Sequence, residues 1–239
     1  MLLDSFEFCP TLVDILKSRR VVGRSGKVFE GLVALSSLNN LFVLQKLMRE
    51  KKPRRTLEIG LCFGGSGLLL TACHRELGST PAGQHTALDP FQNDVWDDAG
   101  LLAIERAGLL PFFDFRPEKS SVELPRLLAS GKTFDLVYID GSHLFEDVFV
   151  DAYFGTRLLN QGGILLFDDS TDPHVRKVIK FIRKTLSSSL SEIDLTAYRS
   201  SESIDFKYRI ASLFGKVQMT AFQRSGDPVR RWDAPFCRF

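Results

Sequence analysis

The stretch FDLVYIDGSHLFEDVFVDAYFGTRLLNQGGILLFDDS, residues 134–170, decides the architecture. It holds two continuous apolar runs with a helix-length segment between them. The first run ends on Asp140 and the second on Asp168-Asp169. Short apolar runs without alternation read as strands buried on both faces, and a helical connection of this length makes the two strands parallel. Both acids therefore stand at carboxyl ends of strands, where ligands bind in open parallel sheets.

Working outward, the same alternation extends in both directions. RTLEIG reads as a strand and GSGLLLTACHREL as the helix after it. HTALDP, PFFDFRP and FDLVYID read as further strands. They are separated by the helices DDAGLLAIERAG, where Asp97 or Asp98 is a candidate cap, and SVELPRLLAS. DPHVRKVIKFIRKTL predicts a helix with Asp172 as cap and Pro173 in its first turn, and Val175, Val178, Ile179 and Ile182 on one face. EIDLTAY and VQMTAFQR read as two closing strands. The predicted fold is α/β, a Rossmann-like, doubly wound, mostly parallel seven-stranded sheet with helices on both faces. Residues 1–52 read as an amino-terminal helical extension and 53–239 as the main domain. In the extension, SSLNNLFVLQKLMRE carries Leu38, Leu41, Phe42, Leu44, Leu47 and Met48 near helical spacing, capped by Ser36 or Ser37. KKPRR, residues 51–55, reads as a solvated link into the first strand.

Composition narrows the class. The 239 residues are 44% hydrophobic and 25% charged, ordinary for a globular protein, and 31 basic against 29 acidic residues give a formal charge of +2. Such balance supplies no reason for nucleic acid as a partner. No apolar run approaches the ~20 residues of a membrane span. The first ten residues, MLLDSFEFCP, carry acid where a secretion signal carries Lys or Arg, so a cytoplasmic protein is expected. Cys9, Cys62, Cys73 and Cys237 include no CxxC pair and are read as reduced thiols. His74 and His85 are read as surface residues, and Tyr138 and Tyr153 as core.

The first strand runs into LEIGLCFGGSG. Gly60, Gly64 and Gly65 permit tight turning and close backbone approach. The loop spells G-x-x-x-G-G-S-G rather than GxGxxG, and Glu58 lies two residues before its first glycine. An acid there repels a pyrophosphate and tolerates a cationic ligand, which weighs against a nucleotide-dependent oxidoreductase. Asp89, at the end of the next strand, is placed to accept ribose hydroxyls. It lies 29 residues after Gly60, longer than the ~20 of the dinucleotide fingerprint.

With TLEIGLCFGGSGLLL, ALDP, FDLVYIDGSH and NQGGILLFDDS together, the chain resembles class I S-adenosylmethionine-dependent methyltransferases over residues 55–185. More narrowly, from Asp140 on it is similar to the metal-assisted small-molecule O-methyltransferases of the catechol and caffeoyl-CoA type and to bacterial sugar and antibiotic-tailoring relatives. The resemblance implies that Glu58, Gly60 and Ser66 hold the methionine part of the cofactor, that Cys62 and Gly64 line it, and that Asp89 grips its ribose. RPEKSS falls where relatives border the adenine, with Ser120 or Ser121 as the contact. Glu118-Lys119 departs there from the glycine common in relatives.

The resemblance also implies a divalent cation held by Asp140, Asp168 and Asp169, and an oxygen-only ligand set favours magnesium, or calcium or manganese, over zinc, with magnesium the first choice. Relatives often carry Asn at the last of these. His143, three residues after Asp140, stands where the catechol type carries a basic Lys, and it is the candidate proton acceptor; Asp140 also borders the cofactor. His174 is a second histidine that can face the cleft. The expected reaction is methyl transfer to a hydroxyl of a small molecule. The alternatives are a metal-independent methyltransferase acting on nitrogen, protein or RNA, and a cofactor-binding protein without catalysis. Substrate contacts are expected from the amino-terminal helices and from residues 199–217. The aromatic carboxyl-terminal segment VRRWDAPFCRF is expected to fold over the site or to pack on a second copy in a homodimer.

Overall fold

In chain order the elements are α1 (Pro10–Ser18), β1 (Arg20–Val22), β2 (Val28–Glu30), α2 (Leu38–Lys51), β3 (Thr56–Ile59), α3 (Gly65–Glu76), β4 (His85–Leu88) and α4 (Ala99–Arg106). They continue with β5 (Phe113–Arg116), α5 (Ser120–Ala129), β6 (Phe134–Ile139), α6 (Phe145–Leu158), β7 (Leu159–Phe167), α7 (Pro173–Thr185), β8 (Leu190–Ile193) and β9 (Thr220–Arg224). The structure, a computed structural model, describes residues 2–199 and 218–239.

β3 to β9 form one seven-stranded sheet in the order β5-β4-β3-β6-β7-β9-β8. The pairs from β5 to β7 are parallel, and β9 runs antiparallel to both β7 and β8. The chain starts in the middle at β3, builds outward to β5, then returns to place β6 on the other side of β3. That reversal opens a crevice at the carboxyl ends of β3 and β6. All four residues of β3 are buried, as a strand covered on both faces requires. Two hydrophobic cores flank the sheet. One joins α1, α2, α3 and α4 to Leu136, Tyr138 and Ile164. The other joins α6 and α7 to Leu57, Val137 and Phe167.

The predicted elements stand, with informative differences at their ends. Ser37 caps α2 by accepting from the Asn40 amide at 3.2 Å. Asp172 caps α7 by accepting from the His174 amide at 2.8 Å, and Val175, Val178, Ile179 and Ile182 are buried on the predicted face. Asp97 and Asp98 do not cap α4. Asp97 instead accepts from the Ser25 hydroxyl at 2.7 Å, and Asp98 pairs with Arg24 at 3.1 Å. These bonds dock the turn of an antiparallel hairpin, β1 with β2, which the helical extension carries in addition. The last strands also differ. Asp194 accepts from the amide and hydroxyl of Thr196, a local turn that ends β8 at Ile193 rather than at Tyr198.

His74 and His85 are not surface residues; both are fully buried. Their side chains share one partner, the Thr56 hydroxyl, at 2.9 Å each. Tyr138 is core, whereas Tyr153 is 45% exposed. All four cysteines are free. Among the described residues no helix is long and apolar enough to cross a membrane. Of the carboxyl-terminal aromatics, Phe239 packs on α7, its ring 5.0 Å from that of Phe181, whereas Trp232 and Phe236 are exposed. Residues 200–217, expected to touch substrate, lie outside the described residues.

Asp151 of α6 is a buried carboxyl with Oδ1 unpartnered among the described residues. Burial pushes it up to about 7, opposed by a hydrogen bond from Ser120 and aided by Asp147. Between pH ~4 and ~7 the folded chain thus holds a proton that the unfolded chain has released. Stability falls as pH rises through that window, by up to about 4 kcal/mol from this group. Asp151→Asn is expected to remove that slope. Urea unfolding at pH 5 and pH 8 checks it: curves that stay parallel between the two proteins would refute the assignment.

Candidate active site

The glycine loop connecting β3 to α3 is shaped by backbone conformations that few residues adopt. Gly60 has φ +95°, and a Cβ added to it would lie 2.2 Å from the Asp140 carbonyl oxygen. β3 and β6 approach this closely only because no side chain intervenes. Gly64, φ +80°, packs on Gly100, where an added Cβ would meet the backbone at 3.0 Å. Cys62 is a non-glycine residue at φ +47°. Its strain is offset by Asp89, whose Oδ2 accepts from the Cys62 amide at 2.8 Å. Gln92 completes the clamp by donating to Asp89 Oδ2 at 2.8 Å and to the Cys62 carbonyl at 2.7 Å. The Phe91 amide donates to Asp89 Oδ1 at 2.8 Å. Asp89 therefore holds the loop, and among the described residues three donors reach its four acceptor positions.

A cavity of about 370 Å³ opens above this loop. Of the residues singled out from the sequence, Gly60, Cys62, Ser66, Asp140, His143, Asp168 and Asp169 all line it. Glu58, two residues before Gly60, is fully buried and does not line the cavity, and its Oε1 is unpartnered among the described residues. Asp89 and Gly64 do not line the cavity. Nor do Ser120 and Ser121, which begin α5.

The acids are close neighbours because Ile139 and Phe167 are register partners, so Asp140 and Asp168 leave adjacent strands side by side. Removal from solvent pushes Asp140 well above the usual carboxylate range, and the charges of Asp168, Glu58 and Asp169 push it further. Asp168 is raised by burial, against which the hydroxyl of Tyr138 stabilises the carboxylate. That hydroxyl donates to Asp168 Oδ2 at 2.5 Å. The Asn40 amide reaches both oxygens, at 2.7 and 3.0 Å, and the Asp169 amide donates to Oδ1 at 2.7 Å. Burial beside these acids pushes the Tyr138 hydroxyl itself upward. Asp169 turns toward His143, with Oδ2 3.1 Å from Nε2. His174 is engaged elsewhere: its Nδ1 accepts from the Phe145 amide at 3.1 Å, capping α6.

Three contributors escaped the sequence reading. Asn40 is a polar residue four positions before Leu44 on the apolar stripe of α2, and that position was the available signal. Tyr138 was read as core alone. Gln92 carries no local signal at all.

Residues 57–170, just under half of the chain, match the profile of a family described as "Methyltransferase domain". The chain resembles class I S-adenosylmethionine-dependent methyltransferases. Over 147 residues it is 24% identical to the rhamnosyl O-methyltransferases of Mycobacterium tuberculosis and Mycobacterium bovis, covering 59% of this chain and 56% of theirs. The chain thus spans little more than half the length of these curated relatives. Among solved structures it is similar to an O-methyltransferase from Bacillus cereus in complex with SAH, with TM-score 0.59 and 20% identity over 77% of this chain and 82% of that one. It is similar to the O-methyltransferase TomG of Streptomyces achromogenes in complex with SAM, with TM-score 0.60 and 20% identity over 81% and 82%. The SAH-bound methyltransferase PaMTH1 of Podospora anserina gives TM-score 0.60 and 17% identity over 90% and 87%. These structures share the fold. The matched methyltransferase segment runs from β3 to just beyond β7. It includes the glycine loop, Asp89, Asp140, His143, Asp168 and Asp169, but not Ser36 and Asn40, which α2 and its approach bring to the same acids.

Proposed function

We propose that the protein transfers a methyl group from S-adenosylmethionine to a hydroxyl of a small molecule, with His143 as the proton acceptor. The observation that carries this reading is the placement of the His143–Asp169 pair and the glycine loop on one cavity. The acids Glu58, Asp140 and Asp168 around that cavity favour a ligand carrying positive charge, and a sulfonium and an ammonium supply it. A pyrophosphate would add to the repulsion that already raises Asp140.

The chemistry asks for alignment more than for activation of the donor. The acceptor oxygen attacks the methyl carbon, the carbon–sulfur bond breaks, and its electron pair stays on sulfur as a neutral thioether. The hydroxyl proton must leave. Asp169 Oδ2 lies 3.1 Å from His143 Nε2, close enough to stabilise the imidazolium that forms when the ring takes that proton.

The divalent ion expected from the sequence does not fit Asp140, Asp168 and Asp169 as they are arranged. Asn40, Tyr138 and the Asp169 amide already occupy the lone pairs of Asp168, and Asp169 is turned to His143. Among the described residues no group of three His, Cys, Asp or Glu is gathered to hold an ion. No step is therefore routed through a metal.

Thermal shift with S-adenosylmethionine against NAD tests the donor: a rise with the first alone is expected. Transfer of labelled methyl to a panel of hydroxylated acceptors tests the reaction. Sugars come first in that panel, because the rhamnosyl O-methyltransferases are named for one. Transfer is expected to persist in EDTA. Loss in EDTA with recovery in magnesium would restore the metal reading, and stabilisation by NAD alone would overturn the donor reading.

A further inference from the structure

A buried chain of side chains starts at Glu58, two residues before Gly60 of the cavity lining. Glu58 Oε2 lies 3.3 Å from His85 Nε2, His85 Nδ1 lies 2.9 Å from the Thr56 hydroxyl, and that hydroxyl lies 2.9 Å from His74 Nε2. All four side chains are fully buried. Their alignment follows from the sheet: Thr56 and His85 are register partners on β3 and β4, and Glu58 is two residues on from Thr56 on the same face. His74 comes from α3, which passes over the same face. Gly67 of that helix leaves the necessary room, since a Cβ there would sit 3.1 Å from Glu58 Oε2.

The direction of the hydrogen bonds can be worked out from the far end. Burial brings His74 down to about 3, so it is neutral at physiological pH and carries one N–H. Its Nδ1 has no partner among the described residues. An N–H placed there would be an orphaned donor, which is rarer in proteins than a bare acceptor. The proton therefore belongs on Nε2, which donates to Thr56. The single Thr56 hydroxyl hydrogen then points to His85 Nδ1, and His85 Nε2–H points to Glu58 Oε2. A proton on His85 Nδ1 would reverse Thr56 and force the orphaned donor onto His74. Every donor in the chain thus aims at Glu58, and its second oxygen, Oε1, is left buried with no partner.

We propose that His85, oriented by Thr56 and His74, is the positioning residue that fixes the Glu58 carboxylate with Oε1 free for the amino group of the methyl donor. This rests on the donor assigned above. It adds a tuned residue on β4, outside the cavity lining, that sets affinity for the amino-acid end of the ligand.

Two near-isosteric variants divide the chain. His85→Gln keeps a donor at the place of Nε2 and loses the bond to Thr56. His85→Asn keeps a group at the place of Nδ1 and loses the bond to Glu58. Calorimetric titration with S-adenosylhomocysteine, which has the amino group, is expected to show roughly tenfold weaker binding for His85→Asn and a smaller loss for His85→Gln, which keeps the donor to Glu58 but not its support from Thr56. Titration with 5′-methylthioadenosine, which lacks the amino-acid end, is expected to be unchanged in both. Equal losses for the two variants, or equal losses for the two ligands, would overturn the proposal. Failure of the unmodified protein to bind either ligand would overturn the donor reading, and this proposal with it. A second measurement needs no variant: nitrogen NMR of the unmodified protein is expected to show the Nε2–H tautomer at both His85 and His74. The Nδ1–H form at His85 would refute the chain's direction.

Discussion

Gly60→Ala is expected to destabilise the protein by about 3–5 kcal/mol and to lower Tm by roughly 8–16 °C. Two costs add. A residue with a side chain at φ +95° pays on the order of 1 kcal/mol for the left-handed conformation. The larger cost is steric: the new Cβ would stand 2.2 Å from the Asp140 carbonyl oxygen and 2.8 Å from the Gly141 Cα, both backbone atoms. Relief requires the ends of β3 and β6 to separate, which strains the Asp140 amide bond to the Ile59 carbonyl, now 3.0 Å. Gly26→Ala is the control. Gly26 has φ +91° but nothing within 4 Å of an added Cβ, so only the conformational cost applies. Thermal melts of the two variants separate the terms. Equal shifts in Tm would show that the strands tolerate a side chain between them. The displaced Asp140 should also weaken donor binding in Gly60→Ala and leave it untouched in Gly26→Ala.

His143→Gln is expected to lower kcat by roughly 10²–10⁴-fold while leaving donor affinity unchanged. Glutamine keeps a polar group beside Asp169 and has no basic nitrogen to take the acceptor's proton. Asp169→Asn should reduce kcat by less, since it removes the charge beside the ring and leaves the ring itself. His143 is half exposed at the rim of the cavity, so neither variant disturbs the core. A variant with full kcat would remove His143 from the reaction.

The architecture was readable because buried parallel strands are apolar throughout and the helices between them carry periodic faces and strong caps. Asp172-Pro173 marked the start of α7 with local chemistry alone, and the acids ending β6 and β7 marked the crevice. The unread parts depend on partners distant in sequence. β1 and β2 are three residues each, too short for a period to show, and they depend on Asp97 and Asp98 some seventy residues away. The burial of His74 and His85 follows from a cross-strand neighbour and an overlying helix. The placing of Asp140, Asp168 and His143 on one cavity was legible from topology. That Asn40 and Tyr138 already engage Asp168 was not, because side-chain direction across two elements leaves no trace in spacing.

The bond from Asn40 to Asp168 has a practical bearing on recombination among related chains. It crosses the point where the matched segment begins, so a crossover placed between residues 52 and 57 would separate the amide from the carboxylate it satisfies. A hybrid inheriting an apolar side chain at position 40 would bury an acid short of a donor, at about 1–3 kcal/mol or more for a charged group. Splicing sites upstream of Ser36 keep both partners from the same parent.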